Sequence, residues 1–152
     1  MLDLRRKLML HSHSNMSTFP FISLQSSLTV LRVVTPLFFI AHALVRIIND
    51  TIPQFANFLG TRGFPQPFAV VWAITVVELV AGTLMIVGIS VRCMAAALAS
   101  IAIGGIVIIH AKLGWFVGEH GTGGSEYSVC LLLCLLVIAA ADADRNKKTA
   151  DW

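Results

Sequence analysis

The sequence predicts an all-α, membrane-spanning four-helix bundle, threaded up-down-up-down with both termini cytoplasmic. Three observations carry that prediction. The chain has 152 residues, 57% hydrophobic and only 12% charged, and its mean hydropathy is +0.82; soluble domains run about half apolar and about a quarter charged. Four apolar stretches, at about 28–48, 68–88, 92–110 and 126–141, approach the length of about 20 residues that a spanning helix needs. Arg5, Arg6, Lys7, Arg92, Arg145, Lys147 and Lys148 fall on one side of those stretches, whereas Arg62 and Lys112 lie in loops on the other, with Arg46 near that face. An excess of Lys and Arg marks the cytoplasmic side. The formal net charge of +3 therefore flanks a membrane and does not signal nucleic-acid binding. The length allows one compact domain.

Residues 1–27 read as a flexible, basic and Ser-rich cytoplasmic tail. They lack the apolar core and the small-residue cleavage site of a signal peptide. Met16 is a second candidate start. His11 and His13 form a metal-like pair, but in a mobile tail they imply no site, and no metal site is expected anywhere in the chain.

The first span, LTVLRVVTPLFFIAHALVRII, contains Pro36, which membrane helices tolerate. Arg32 lies near its cytoplasmic end and can snorkel. His42 and Arg46 are four apart and share a face near the other end. In the loop 49–67, Pro53, Gly60, Gly63, Pro65 and Pro67 exclude a long helix. The pattern Ile52, Phe55, Phe58, Leu59 suits a short interfacial helix.

The second span carries Glu78 near its middle, and Gly82 on the same face one turn later. A carboxyl group at that depth is costly unless neutral or paired, so it must face protein or a water-filled cavity. Gly82 lets another helix approach closely. A tight turn over Ile89 to Val91 leads into the third span. There Ala95, Ala96, Ala99, Ala102, Gly104 and Gly105 suit close helix packing and offer a face for homo-oligomers. In the loop 111–125, Trp115 and Phe116 read as interface anchors. The fourth span opens at Glu126, and residues 142–152 form a polar cytoplasmic tail. Cys93, Cys130 and Cys134 show no metal or redox spacing.

Ordered by depth, Glu78 is near the midplane, His42 lies somewhat outward, and Arg46 lies further out. His110 and Glu126 stand at the outer ends of the third and fourth spans, with Glu119 and His120 in the loop between. Polar groups from all four spans thus converge on the outer half of the bundle. Glu78 with His42 is the closest match in depth, with Arg46 able to reach inward, and Arg46 with Glu126 is the natural pair nearer the surface. Buried polar pairs also fix which helices associate, so the cluster serves as glue, as a site, or as both. A haem held by His42 and His110 is disfavoured by their different depths.

The ordered set is Arg32, then His42-Ala43 with Arg46, Gly63 with Pro65, Glu78 with Gly82, and Gly88 before Arg92. His110, Gly114-Trp115-Phe116, and Gly121 to Gly124 leading into Glu126-Tyr127 complete it. Over about residues 28–141 this set resembles the DoxX family of small four-helix bacterial and archaeal membrane proteins. The family often shows His-Gly followed by Lys where this chain has His42-Ala43 and Arg46, a change from a point donor to a planar fork.

The resemblance implies a place in the bacterial or archaeal plasma membrane, beside a membrane oxidoreductase or in thiol and oxidative-stress handling. The family's namesake is similar to a subunit of a thiosulfate:quinone oxidoreductase. The chain has no redox cofactor motif of its own, so a bound quinone or a partner subunit must bring that chemistry. On this reading His42, Arg46 and His110 bond the ligand's oxygens, and Glu78 and Glu126 exchange protons. The alternative is a small-solute or proton-coupled transport or assembly subunit without redox chemistry.

Overall fold

The structure is a computed structural model that describes residues 21–118 and 123–150, the last seven of these as backbone only. The N-terminal basic cluster, His11, His13, Met16, Glu119 and His120 lie outside the described residues, as do the side chains of Arg145, Lys147 and Lys148.

Among the described residues five α-helices form: α1 Leu24–Ile48, α2 Ile52–Thr61, α3 Pro67–Val87, α4 Val91–Ile108 and α5 Glu126–Ala150, with a short 3-10 turn at His110–Lys112. Among the described residues four segments are long and apolar enough to cross a membrane, Leu24–Ile48, Pro67–Val87, Val91–Lys112 and Glu126–Ala143, with mean hydropathy between 1.9 and 2.3. The protein is thus a multi-pass helical membrane protein.

The first helix begins four residues ahead of the expected span because Ser23 caps it: the Ser23 hydroxyl accepts from the Ser26 backbone N–H at 3.1 Å. Such a cap satisfies one of the donors a helix start leaves open. The last helix runs past Ala141 to Ala150, since DADRNKKTA holds no Gly or Pro to stop it. Pro36 sits inside α1 and is buried. The short α2 buries Ile52, Ala56 and Leu59 against Val71 of α3, a spacing that aligns one helical face.

Helix α1 packs against α3 and α5, and α4 packs against the same two, so α1 and α4 are diagonal. The registry of α1 on α3 is read from three contacts. Arg32 lies beside Gly88, Ile40 beside Gly82, and Arg46 beside Thr75 and Glu78. Rising numbers on one helix meet falling numbers on the other, so the pair is antiparallel. Phe38 meets Tyr127 edge-on at 6.0 Å, while Leu28 and Arg32 share a cavity with Ile138 and Asp142, which makes α5 antiparallel to α1 as well.

The main core joins Phe39, Ala81, Met85, Leu98, Leu131 and Leu135. Ala95 and Ala102 of α4 are buried in it, so part of that helix's small-residue face packs within the chain. Cys93, Ala96, Ser100, Ile103 and Val107 lie on the outward side.

Two glycines set close approaches. A Cβ on Gly82 would stand 2.7 Å from Ile40 Cγ1 and 3.4 Å from the Pro36 carbonyl oxygen. A Cβ on Gly124 would collide with the Trp115 and Phe116 carbonyl groups. Ile40 can rotate, but the loop carbonyls cannot leave without breaking the loop. Gly82→Ala should therefore cost about 1–3 kcal/mol, the usual range for an overpacked core. Gly124→Ala should instead open the loop, read as faster amide exchange at Val117 and Glu126 with the helical content unchanged.

Candidate functional site

The site begins with two helical spacings. His42 and Arg46 are one turn apart on α1, and Thr75 and Glu78 are one turn apart on α3. The contact at Gly82 holds these faces together. Arg46 Nη1 donates to Glu78 Oε2 at 2.9 Å and to Thr75 Oγ1 at 2.7 Å. The Thr75 hydroxyl donates in turn to the Val71 carbonyl at 2.8 Å, which turns its lone pairs toward Arg46. The two charged side chains keep 13% and 5% of their surface. Such a pair is bonded well enough to survive burial, yet removing one member leaves the other charge uncompensated. The guanidinium also lies over the Phe55 ring, 5.4 Å from its centre, within cation–π range.

Glu78 takes Arg46, which was expected to reach inward, rather than His42, the closest match in depth, because the longer Arg side chain extends along α1. The other expected pairing is corrected. Arg46 does not take Glu126. The Glu126 carboxylate accepts from the Val117 backbone N–H at 2.9 Å, while the Glu126 N–H donates to the Trp115 carbonyl at 3.0 Å. A carboxylate in the first turn of a helix suits its positive end, and here it also fastens the loop. Ser125 adds a second tie, its N–H donating to the Gly114 carbonyl at 3.1 Å.

Beside the ion pair is an open cavity of about 440 Å³. Helix α1 contributes His42, Val45 and Arg46, the α2 segment contributes Thr51, Gln54, Phe55 and Phe58, and Ile109 closes the α4 side. Arg46 is thus both a wall of the groove and a member of the pair. Both of its bonds use Nη1, and no other described group bonds the guanidinium, so its remaining donors are available to a ligand. His42 is exposed and lies within electrostatic range of Arg46 and His110. His110 does not line the groove. Its ring lies near Gly105, and its Nδ1 is buried without a hydrogen-bond partner.

Among the candidate residues, the structure therefore brings together His42, Arg46 and Glu78, sets His110 at the edge, and gives Glu126 to the loop. Thr75 and Gln54 were not singled out from sequence, and Phe55 was read only as part of the interfacial pattern of α2. The signal for Thr75 was its place three residues before Glu78. That for Gln54 and Phe55 was the amphipathic pattern of α2, which did not say which rings would meet Arg46. No group of three or more His, Cys, Asp or Glu side chains that could hold a metal occurs among the described residues, and all three cysteines are free thiols.

Replacing Arg46 with Met should cost about 3–5 kcal/mol, because Glu78 is left buried and unpaired. The double replacement Arg46→Met with Glu78→Met should recover most of that loss. Thermal denaturation of the four proteins of this cycle in one detergent checks both values, and a double variant no better than the single one would show that the pair is not the stabilising unit.

The model of the DoxX family matches residues 27–111. No curated protein and no solved structure matches the chain. The matched segment holds Arg32, His42, Arg46, Glu78, Gly82 and His110 in their order, and it covers more than half of the sequence. This four-span membrane protein belongs to the DoxX family.

Proposed function

We propose that the protein binds a quinone or a similar small lipophilic molecule in the groove between α1 and α2, as a redox-associated subunit of a membrane oxidoreductase complex. It would sit in the bacterial or archaeal plasma membrane with both termini cytoplasmic and the groove in the outer half of the bundle. The observation that carries this reading is an aromatic groove with Arg46 in its wall, held there by the buried Glu78 behind it. A volume of about 440 Å³ falls in the range of about 300–1,000 Å³ common for small-molecule sites. The lining also fits: Phe55 and Phe58 offer ring faces, and a few polar groups converge from one side.

A bound quinone would supply the two-electron, two-proton redox couple. The chain's own residues would do the rest. Arg46 and His42 would donate to the ligand's oxygens. Gln54 would add an amide at the mouth. Because Arg46 is already neutralised by Glu78, the groove favours an uncharged acceptor over an anion. Glu78, bonded at Oε2 and backed by Thr75, would hold or release a proton at its carboxylate as the ligand changes protonation. Glu126 is assigned to holding the loop, and His110 to supporting the groove's far edge.

The test is calorimetric titration of the purified protein, in uncharged detergent micelles, with a short-chain quinone. Arg46→Gln should weaken binding by about tenfold, equivalent to about 1.4 kcal/mol. Phe55→Leu should weaken it less, and Val76→Ala on the outward face of α3 should leave it unchanged. A wild-type protein without saturable binding contradicts the proposal and leaves transport or assembly as the role.

A further inference from the structure

The opposite end of the bundle holds a second cation whose position the groove does not explain. Arg32 lies on α1 eight residues in from the helix start at Leu24. Its guanidinium rests over Gly88, where a Cβ would stand 2.9 Å from Nη1. Gly88 ends α3 with a φ of 91°. Its N–H donates to the Met85 carbonyl at 3.2 Å, and the Ile89 N–H donates to the Leu84 carbonyl at 2.9 Å. This is the left-handed helix ending that glycine adopts without strain. The result is a flat platform on which the guanidinium lies.

Unlike Arg46, Arg32 makes no ion pair with a carboxylate among the described residues. Among the described residues nothing accepts a hydrogen bond from it, and its Nε is buried without a partner. Beside it is a cavity of about 60 Å³, lined by Gln25, Thr29 and Arg32 of α1 and by Ile138 and Asp142 of α5. Asp142 makes an interaction of its own. The Thr29 hydroxyl donates to the Gln25 carbonyl at 2.9 Å, which leaves the Gln25 amide and Arg32 as the donors.

The level of this cavity is set by the fold. The turn from α3 to α4 lies at Gly88 to Ser90, and Arg32 stands beside it. Helix α1 continues about 12 Å beyond Arg32 toward its start, at about 1.5 Å per residue, and α5 runs on past Asp142 to Ala150. The cavity therefore lies between two helices that extend past the point where the other two end. The apolar runs of α3 and α4 end at that level, which favours a place near the lipid headgroups. A guanidinium there can reach the headgroup level, and its planar fork matches a phosphate with two parallel bonds.

We propose that Arg32, on its Gly88 platform between the ends of α1 and α5, is a binding site for a phosphate group. The lipid headgroup is the source the level of the site favours, and free phosphate carries the same chemistry.

The test is native mass spectrometry of the full chain in detergent, with phosphatidylglycerol, a phosphate-free diglycosyl lipid, or inorganic phosphate as probe. The wild type should keep one phosphatidylglycerol and should not keep the glycolipid. Arg32→Gln should lower retention by about tenfold, corresponding to one lost charge-assisted pair. Arg32→Lys should keep part of it, and Arg62→Gln at the other end of the bundle should keep all of it. Failure of millimolar inorganic phosphate to displace the lipid assigns the site to a headgroup, and displacement assigns it to free phosphate; both support the phosphate chemistry. Equal retention of glycolipid and phosphatidylglycerol by the wild type overturns the proposal, even if Arg32→Gln does not fold. Equal retention by a folded Arg32→Gln overturns it too.

Discussion

The bundle depends on one buried ion pair. A carboxylate in the middle of an apolar helix has no water to solvate it, and only a partner from another helix makes its position tenable. Glu78 finds that partner in Arg46, and the two are bonded through Nη1 with Thr75 as the second acceptor. This requirement fixes the registry of α1 on α3. The antiparallel approach, the absence of a side chain at Gly82 and the burial of Pro36 all serve it. The close approach at Gly82 favours the same registry, but apolar packing in lipid gains less from one alignment over another than a buried charge does. The ion pair has one registry.

The same constraint shapes the groove. Arg46 must turn inward to reach Glu78, and this turns its guanidinium under Phe55. The short helix α2 is thereby drawn to the mouth of the site, although its own burial is against Val71. On the proposed function, stability and ligand recognition share a residue. The opposite end of the bundle holds a second arginine without such a pair among the described residues: Arg32 lies on Gly88, and on the proposal above a phosphate group complements it.

Much of this was legible in the sequence. Hydropathy marked the four spans because each is a long apolar run, and Glu78 with Gly82 marked the face that matters because a midspan carboxylate has few solutions. The short helix at Ile52 was visible in its amphipathic spacing. The pairings were less legible. Depth along a helix orders Cα positions, but an Arg side chain reaches past its own turn, so Arg46 met Glu78 and left His42 facing the groove. The pairing of Glu126 with Arg46 was misread for a different reason. The partner of Glu126 is a backbone N–H at Val117, and no side-chain pattern announces a loop that folds back on a helix start. The ends of α1 and α5 moved outward because a Ser cap and a polar, Gly-free tail extend helices without any apolar signal.

The most direct test of the account is an infrared difference spectrum of the reconstituted protein, taken with and without a bound short-chain quinone, in wild type and in Glu78→Gln. The carboxyl and guanidinium bands of the wild type should change on binding, since Arg46 joins the pair to the groove, and the carboxyl change should be missing from the Glu78→Gln spectrum. Identical carboxyl changes in both proteins would mean that the ligand does not address the Arg46–Glu78 pair, and the pair would then be a fastener between α1 and α3 with no part in the site.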